Sequence, residues 1–159
     1  MAKFTHFDEK GASRMVDVSL KEPTLRTAKA RGKIILGPIA YEMVKNKKIA
    51  KGDVLEVARL AGIMGAKKTS DLIPLCHPIK ITSVTIDYEF NDKERGLYIE
   101  STVKAKDYTG VEMEALAAVS IAALTVYDMC KAADKAMEIR EIMLVEKTGG
   151  KSGTFKRTS

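Results

Sequence analysis

The sequence predicts an α+β domain in which one antiparallel sheet is covered by helices. Three observations carry this. Residues 79–90 and 97–106 alternate apolar and polar around a short polar loop, the pattern of an antiparallel hairpin. Residues 112–136 place apolar side chains at spacings of three and four, which is helical. The segments follow one another as strand, helices, two strands, helix, strand. With 159 residues, 45% of them hydrophobic, the chain favours a single domain, 1–159, around one core.

In chain order, residues 1–13 are polar and are expected to form a mobile arm. Met15-Val16-Asp17-Val18-Ser19 alternates and is expected to be a short edge strand before Pro23. Over 25–36, Ala28, Ala30, Gly32, Ile34 and Leu36 fall on one side and Lys29, Arg31 and Lys33 on the other, so a half-buried strand with a basic outer face is expected. Pro38 suits the first turn of a helix over 38–47, and the lysines at its end suit a helix C-terminus. Asp53 is a natural N-cap for a second helix. Val54, Val57, Ala58 and Ala61 give it helical spacing, and Gly62 and Gly65 are expected to weaken its end.

Residues 67–74 read as a turn or short capped helix. Leu75-Cys76-His77-Pro78, held between Pro74 and Pro78, should be extended. Residues 139–145 are nearly all apolar and read as a strand buried on both faces. From Glu146 the chain becomes Gly-, Lys- and Ser-rich, and a flexible tail is expected over about 147–159. Together these make a split βαβ layout, a ferredoxin-like βαββαβ sandwich with one extra helix. Such a fold is silent on function.

The long helix carries two stripes. Leu116, Val119, Ala123, Val126 and Cys130 should pack on the sheet. Glu114, Ala117, Ile121, Leu124, Asp128, Lys131 and Lys135 form a second stripe, apolar in the middle. A helix apolar on two sides needs two covers, and another copy of the chain is the expected second cover. Asp128 and Lys131 sit where that stripe stops. Their spacing alone is that of an exposed i, i+3 ion pair. At the mouth of a cleft the same pair would serve proton transfer.

The net charge of +6 favours anionic partners. Nine aromatics, no Trp and scattered basic residues lean against nucleic acid. No stretch approaches the roughly 18–20 apolar residues of a membrane span, and residues 1–10 lack an apolar signal region, so a cytoplasmic protein is expected. Two cysteines and two histidines, with adjacent Cys76 and His77, fit a tetrahedral metal site poorly. His77 in its extended segment could hold a ligand or be satisfied by backbone. Glu112 and Glu114 either complement the helix N-terminus or accept from a guanine-like donor edge. Gly149-Gly150-Lys151-Ser152-Gly153 lacks the first glycine of a phosphate loop, since Val145 stands there, and no helix follows. A Gly/Lys/Ser tail folding over polyphosphate stays open beside plain disorder. Lys51, Lys67 and Lys68 bracket the second helix, and a buried lysine there could act in acid–base chemistry.

Read together, these segments resemble the molybdenum cofactor biosynthesis protein C (MoaC) family, the cyclic pyranopterin monophosphate synthases. The match is carried by Met15-Val16-Asp17-Val18-Ser19, Lys51-Gly52-Asp53, Ala58-Arg59-Leu60-Ala61-Gly62, Lys67-Lys68-Thr69, Leu75-Cys76-His77-Pro78, Gly110-Val111-Glu112-Met113-Glu114-Ala115, Tyr127-Asp128-Met129-Cys130-Lys131 and 147–153. The resemblance implies a hexamer built as a trimer of dimers, with sites at subunit interfaces. It implies 3′,8-cyclised dihydro-GTP, made by a partner radical enzyme, as substrate, and cyclic pyranopterin monophosphate and pyrophosphate as products. No metal or organic cofactor is expected. Following the family, Asp128, Lys131 and Lys51 share the proton transfers. Leu75, Cys76, His77, Met113 and Glu114 hold base and sugar, with Glu112 beside them. Arg26, Lys67, Lys68, Lys147 and Lys151 are candidates for the triphosphate. The rivals are a basic RNA-binding module, which would need aromatics such as Tyr88, Phe90 and Tyr98 exposed on the sheet, and a non-catalytic nucleotide sensor.

Overall fold

A computed structural model describes residues 6–8, 10–46 and 53–158. The elements run β1 (Thr24–Ile35), α1 (Pro38–Lys45), α2 (Val54–Lys67), α3 (Thr69–Leu72), β2 (Ile81–Asn91), β3 (Gly96–Asp107), α4 (Glu112–Cys130), β4 (Glu138–Thr148) and β5 (Phe155–Lys156). The strands form one antiparallel sheet in the order β2-β3-β1-β4-β5. This is the ferredoxin-like order with a short fifth strand on one edge.

Small residues let α4 settle closely on the sheet. Ala28 and Ala30 of β1 are buried against Ala115, Ala118, Val119, Ala122 and Ala123 of α4 in one core. A Cβ on Gly32 would come within 2.8 Å of Val119 and 3.0 Å of Ile142. The outer flank of α4 lies on α2. A Cβ on Gly62 would stand 2.8 Å from the Ala118 carbonyl oxygen, and one on Gly65 2.9 Å from the Ile121 Cβ. These glycines therefore do not weaken the end of α2, which continues to Lys67. They bring two helices together, and packing there outweighs helix propensity.

That contact also corrects the second-cover expectation. Ala117, Ile121 and their neighbours are covered by α2 of the same chain, and of that stripe's apolar residues only Leu124 is exposed. α4 is long and apolar enough to cross a membrane by length and composition, contrary to the sequence estimate, but here it lies between the sheet and α2.

Asp53 caps α2 as expected, its side chain accepting from the backbone N–H groups of Leu55 and Glu56. Other boundaries shift. Met15–Ser19 is not a strand, and the pairing nearest to it is an isolated bridge between Phe7 and Ser13. α4 ends at Cys130, six residues early. The following turn brings Asp134 to α1, where its carboxylate accepts from the N–H of Gly37 at 2.7 Å. β4 is not buried on both faces, since its residues are half-buried or exposed. It continues to Thr148 and pairs with β5, so regular structure reaches into the expected tail. Lys33 of the basic face is nearly buried, bridging Glu94 at 3.2 Å and Glu141 at 2.9 Å.

Candidate active site

Two adjoining cavities lie at the N-terminal end of α4. The smaller, about 190 Å³, is lined by His6, Leu75, Cys76, His77, Ile79, Thr109, Gly110, Glu112, Met113 and Glu114. The larger, about 820 Å³, is bounded by Lys21, Arg26, Tyr108, Glu112, Lys147 and Lys151 among others. Both share Thr109, Gly110 and Glu112, so they are adjacent chambers of one hollow around those residues. A further hollow, about 450 Å³, lies on the open face of the sheet, and none of the residues selected from sequence lines it.

Glu114 is the buried acid of this hollow, only 3% exposed. Burial pushes its carboxyl up to about 7. Glu112 and Asp107 add to the rise, and a bond to its own backbone N–H opposes it. The Cys76 thiol is pushed up by burial and by the Glu114 charge, so it is a poor nucleophile here. His77 Nε2 lies 2.7 Å from the carbonyl oxygen of Val16. A carbonyl only accepts, so Nε2 carries the hydrogen.

Glu112 does not stand ready for a base edge. Its carboxylate is 2.8 Å from Lys147 Nζ, which also donates to Ser152 Oγ at 3.0 Å. The pair ties the start of α4 to the loop after β4. Arg26 is nearly buried and donates to the carbonyl oxygens of Asp107 and Tyr108. Gly149 and Gly150, at φ +99° and +73°, lie over it, and a Cβ on Gly150 would overlap the guanidinium. Arg26 thus shapes the floor more than it offers a free cation. Lys151 is exposed on the rim.

The other candidates lie elsewhere. Lys67 and Lys68 end α2, both exposed. Lys68 pairs with Asp71 at 3.2 Å, and neither lysine lines the hollow. Asp128 and Lys131 form an exposed ion pair at 2.7 Å, and Asp128 holds the lysine firmly charged by raising its pKa. Asp128 is sixteen positions along α4 from Glu112, or about 24 Å at 1.5 Å per residue. Side chains cannot span that, so within one chain the pair is remote from the hollow. Lys51 lies outside the described residues. Among the described residues, no group of three His, Cys, Asp or Glu side chains is placed to hold a metal ion.

The RNA-module alternative loses two of its three aromatics. Tyr88 stacks beneath Arg59 of α2, and Phe90 packs edge-on to Tyr41 of α1, so both face the helices. The sequence assigned no site role to Val16, Thr109 or Lys21, whereas Ser152 lay in the tail considered for polyphosphate. Val16 contributes only a backbone carbonyl, for which side-chain patterns carry no signal.

Fold and site define a class: a ferredoxin-like α+β protein whose hollow pairs a buried carboxyl with a basic chamber suited to a polyphosphate. Comparison with known proteins sharpens this. Residues 15–150 match the MoaC family. A cyclic pyranopterin monophosphate synthase of Heliobacterium modesticaldum is 59% identical over 157 residues, covering 99% of both chains. Proteins of the same name from Lysinibacillus sphaericus and Bacillus thuringiensis subsp. konkukian are 58% and 53% identical, covering 98% and 100% of both chains. The chain belongs to the MoaC family.

Proposed function

We propose that this chain converts 3′,8-cyclo-7,8-dihydroguanosine 5′-triphosphate to cyclic pyranopterin monophosphate and pyrophosphate, an early lyase step of molybdenum cofactor biosynthesis. The observation that carries this beyond the family is the two-chamber hollow. A small chamber with a buried acid suits a guanine-derived base and its sugar, held by Leu75, Cys76, His77, Met113 and Glu114. The larger chamber, bounded by Lys21, Lys147 and Lys151, suits the phosphates. An oxygen of the former ribose attacks the α-phosphorus, and pyrophosphate leaves into that chamber. Ring opening and pyrazine closure move protons, and Asp128, Lys131 and Lys51 are assigned to them.

Because Asp128 and Lys131 lie at the far end of α4, a complete site takes them from a second copy. A hexamer built as a trimer of dimers, with sites at the subunit interfaces, meets that need. The substrate comes from a radical enzyme acting before this step. Two cysteines far apart in sequence fit a reducing, cytoplasmic setting. The test is to incubate purified protein with the cyclised dihydro-GTP and follow pyrophosphate release. Release is expected. A folded, oligomeric sample that binds this compound without turning it over would leave only a nucleotide sensor.

A further inference from the structure

Among the described residues of 6–23 there is no helix or strand beyond the bridge between Phe7 and Ser13. Their other hydrogen bonds are local: Arg14 to His6, Lys21 to Val18, Ser19 to Asp17, and a turn around Asp8. Among the described residues, the bond from His77 Nε2 to the Val16 carbonyl is the one hydrogen bond joining this stretch to the remainder of the chain. Apolar burial does little to hold it, with Leu20 99% exposed and Met15 half exposed. Yet the stretch walls both chambers. His6 lines the smaller, and Leu20, Lys21 and Glu22 line the larger.

We propose that His77 is a positioning residue, holding residues 16–22 through Val16 as a wall of the substrate hollow. Its consequence for substrate rests on the function proposed above, whereas the tether itself does not. His77 directly precedes Pro78, which restricts its backbone to extended conformations, and a turn closed by the Cys76 N–H on the Ile73 carbonyl leads into it, so its ring has a fixed base. Only the donor at Nε2 matters to the tether. A glutamine amide can donate from nearly the same place. A phenylalanine keeps the ring volume and donates nothing.

The experiment compares full-length wild type, His77→Gln and His77→Phe, with His77→Ala in place of Phe should that variant misfold. Limited trypsin digestion reads the tether at Arg14 and Lys21, since cleavage of a rapidly opening segment follows its open population. His77→Phe should be nicked about three- to tenfold faster, the population change for one lost hydrogen bond. His77→Gln should stay within about twofold of wild type. In the turnover assay, KM should rise in both variants, since His77 also lines the substrate chamber, and should rise about three- to tenfold further in His77→Phe, whose wall is loosened. Equal nicking of wild type and His77→Phe would overturn the tether. A Gln variant with a protected arm but the high KM of the Phe variant would overturn the positioning role. If wild type fails to turn over, the proposed activity falls and the nicking comparison still decides the tether.

Discussion

Glu114→Gln removes a charge from a place that resists it, at nearly constant shape. Burial raises the Glu114 carboxyl from its ordinary 4.5 to about 7. Below about pH 4.5 the folded and unfolded chains both hold the proton, and the site carries no electrostatic cost. Between 4.5 and 7 the folded protein holds it longer, so stability falls as pH rises. Above about 7 the cost is complete. At 1.36 kcal/mol per pH unit, the full gap is on the order of 3 kcal/mol. Glu114 borders an open hollow, so solvent screening reduces this to about 1–2 kcal/mol. Gln has no such term. Urea unfolding at fixed protomer concentration should therefore show Glu114→Gln more stable than wild type by about 1–2 kcal/mol at pH 8. The gap should close to within about 0.5 kcal/mol at pH 5. Titrations of groups that do not interact with Glu114 cancel in the difference. A gap that does not change with pH, or a Gln variant less stable at pH 8, would mean that the carboxylate is ionised and paired, and would refute the reasoning.

Asp128→Ala and Lys131→Ala should each lower pyrophosphate release by about 100-fold or more, and near-normal rates would leave them a surface ion pair. If sites are shared between copies, oligomers reassembled from Asp128→Ala and Glu114→Ala chains should regain activity that neither parent shows, and inactivity after verified mixing would count against sharing. Gly62→Val should destabilise the protein by about 1–3 kcal/mol in urea, because the Ala118 backbone leaves no room, and an unchanged midpoint would contradict the close approach of α2 and α4. Gly150→Ala should cost about 1–3 kcal/mol from its positive φ and its overlap with Arg26. It should also weaken pyrophosphate binding measured by calorimetry, and wild-type affinity would separate this loop from the phosphate chamber.

Much of the fold was legible because its signals are local. Strand alternation, the Asp53 cap and the hairpin each depend on neighbours within a few residues, and the fold bears all three out. The motif residues around 75–77 and 112–114 could be read for the same reason, and folding brings them into one hollow. Distance in sequence hid the rest. Gly62 and Gly65 look like weak helix formers until α4, more than fifty residues on, fills the space their missing side chains leave. Just past the end of α4, Asp134 accepts from Gly37, a bond between residues 97 positions apart.

The site divides in the same way. The sequence by itself determined the family, the strand and helix order and the identity of most candidate groups. Side-chain chemistry and short-range periodicity are properties of the chain. Tertiary structure alone decided which groups meet. It turned Glu112 toward Lys147, buried Glu114, and set Asp128 and Lys131 a helix length away. It also hung the segment around Val16 from His77. Those outcomes depend on where distant strands place their ends, and no local pattern encodes that.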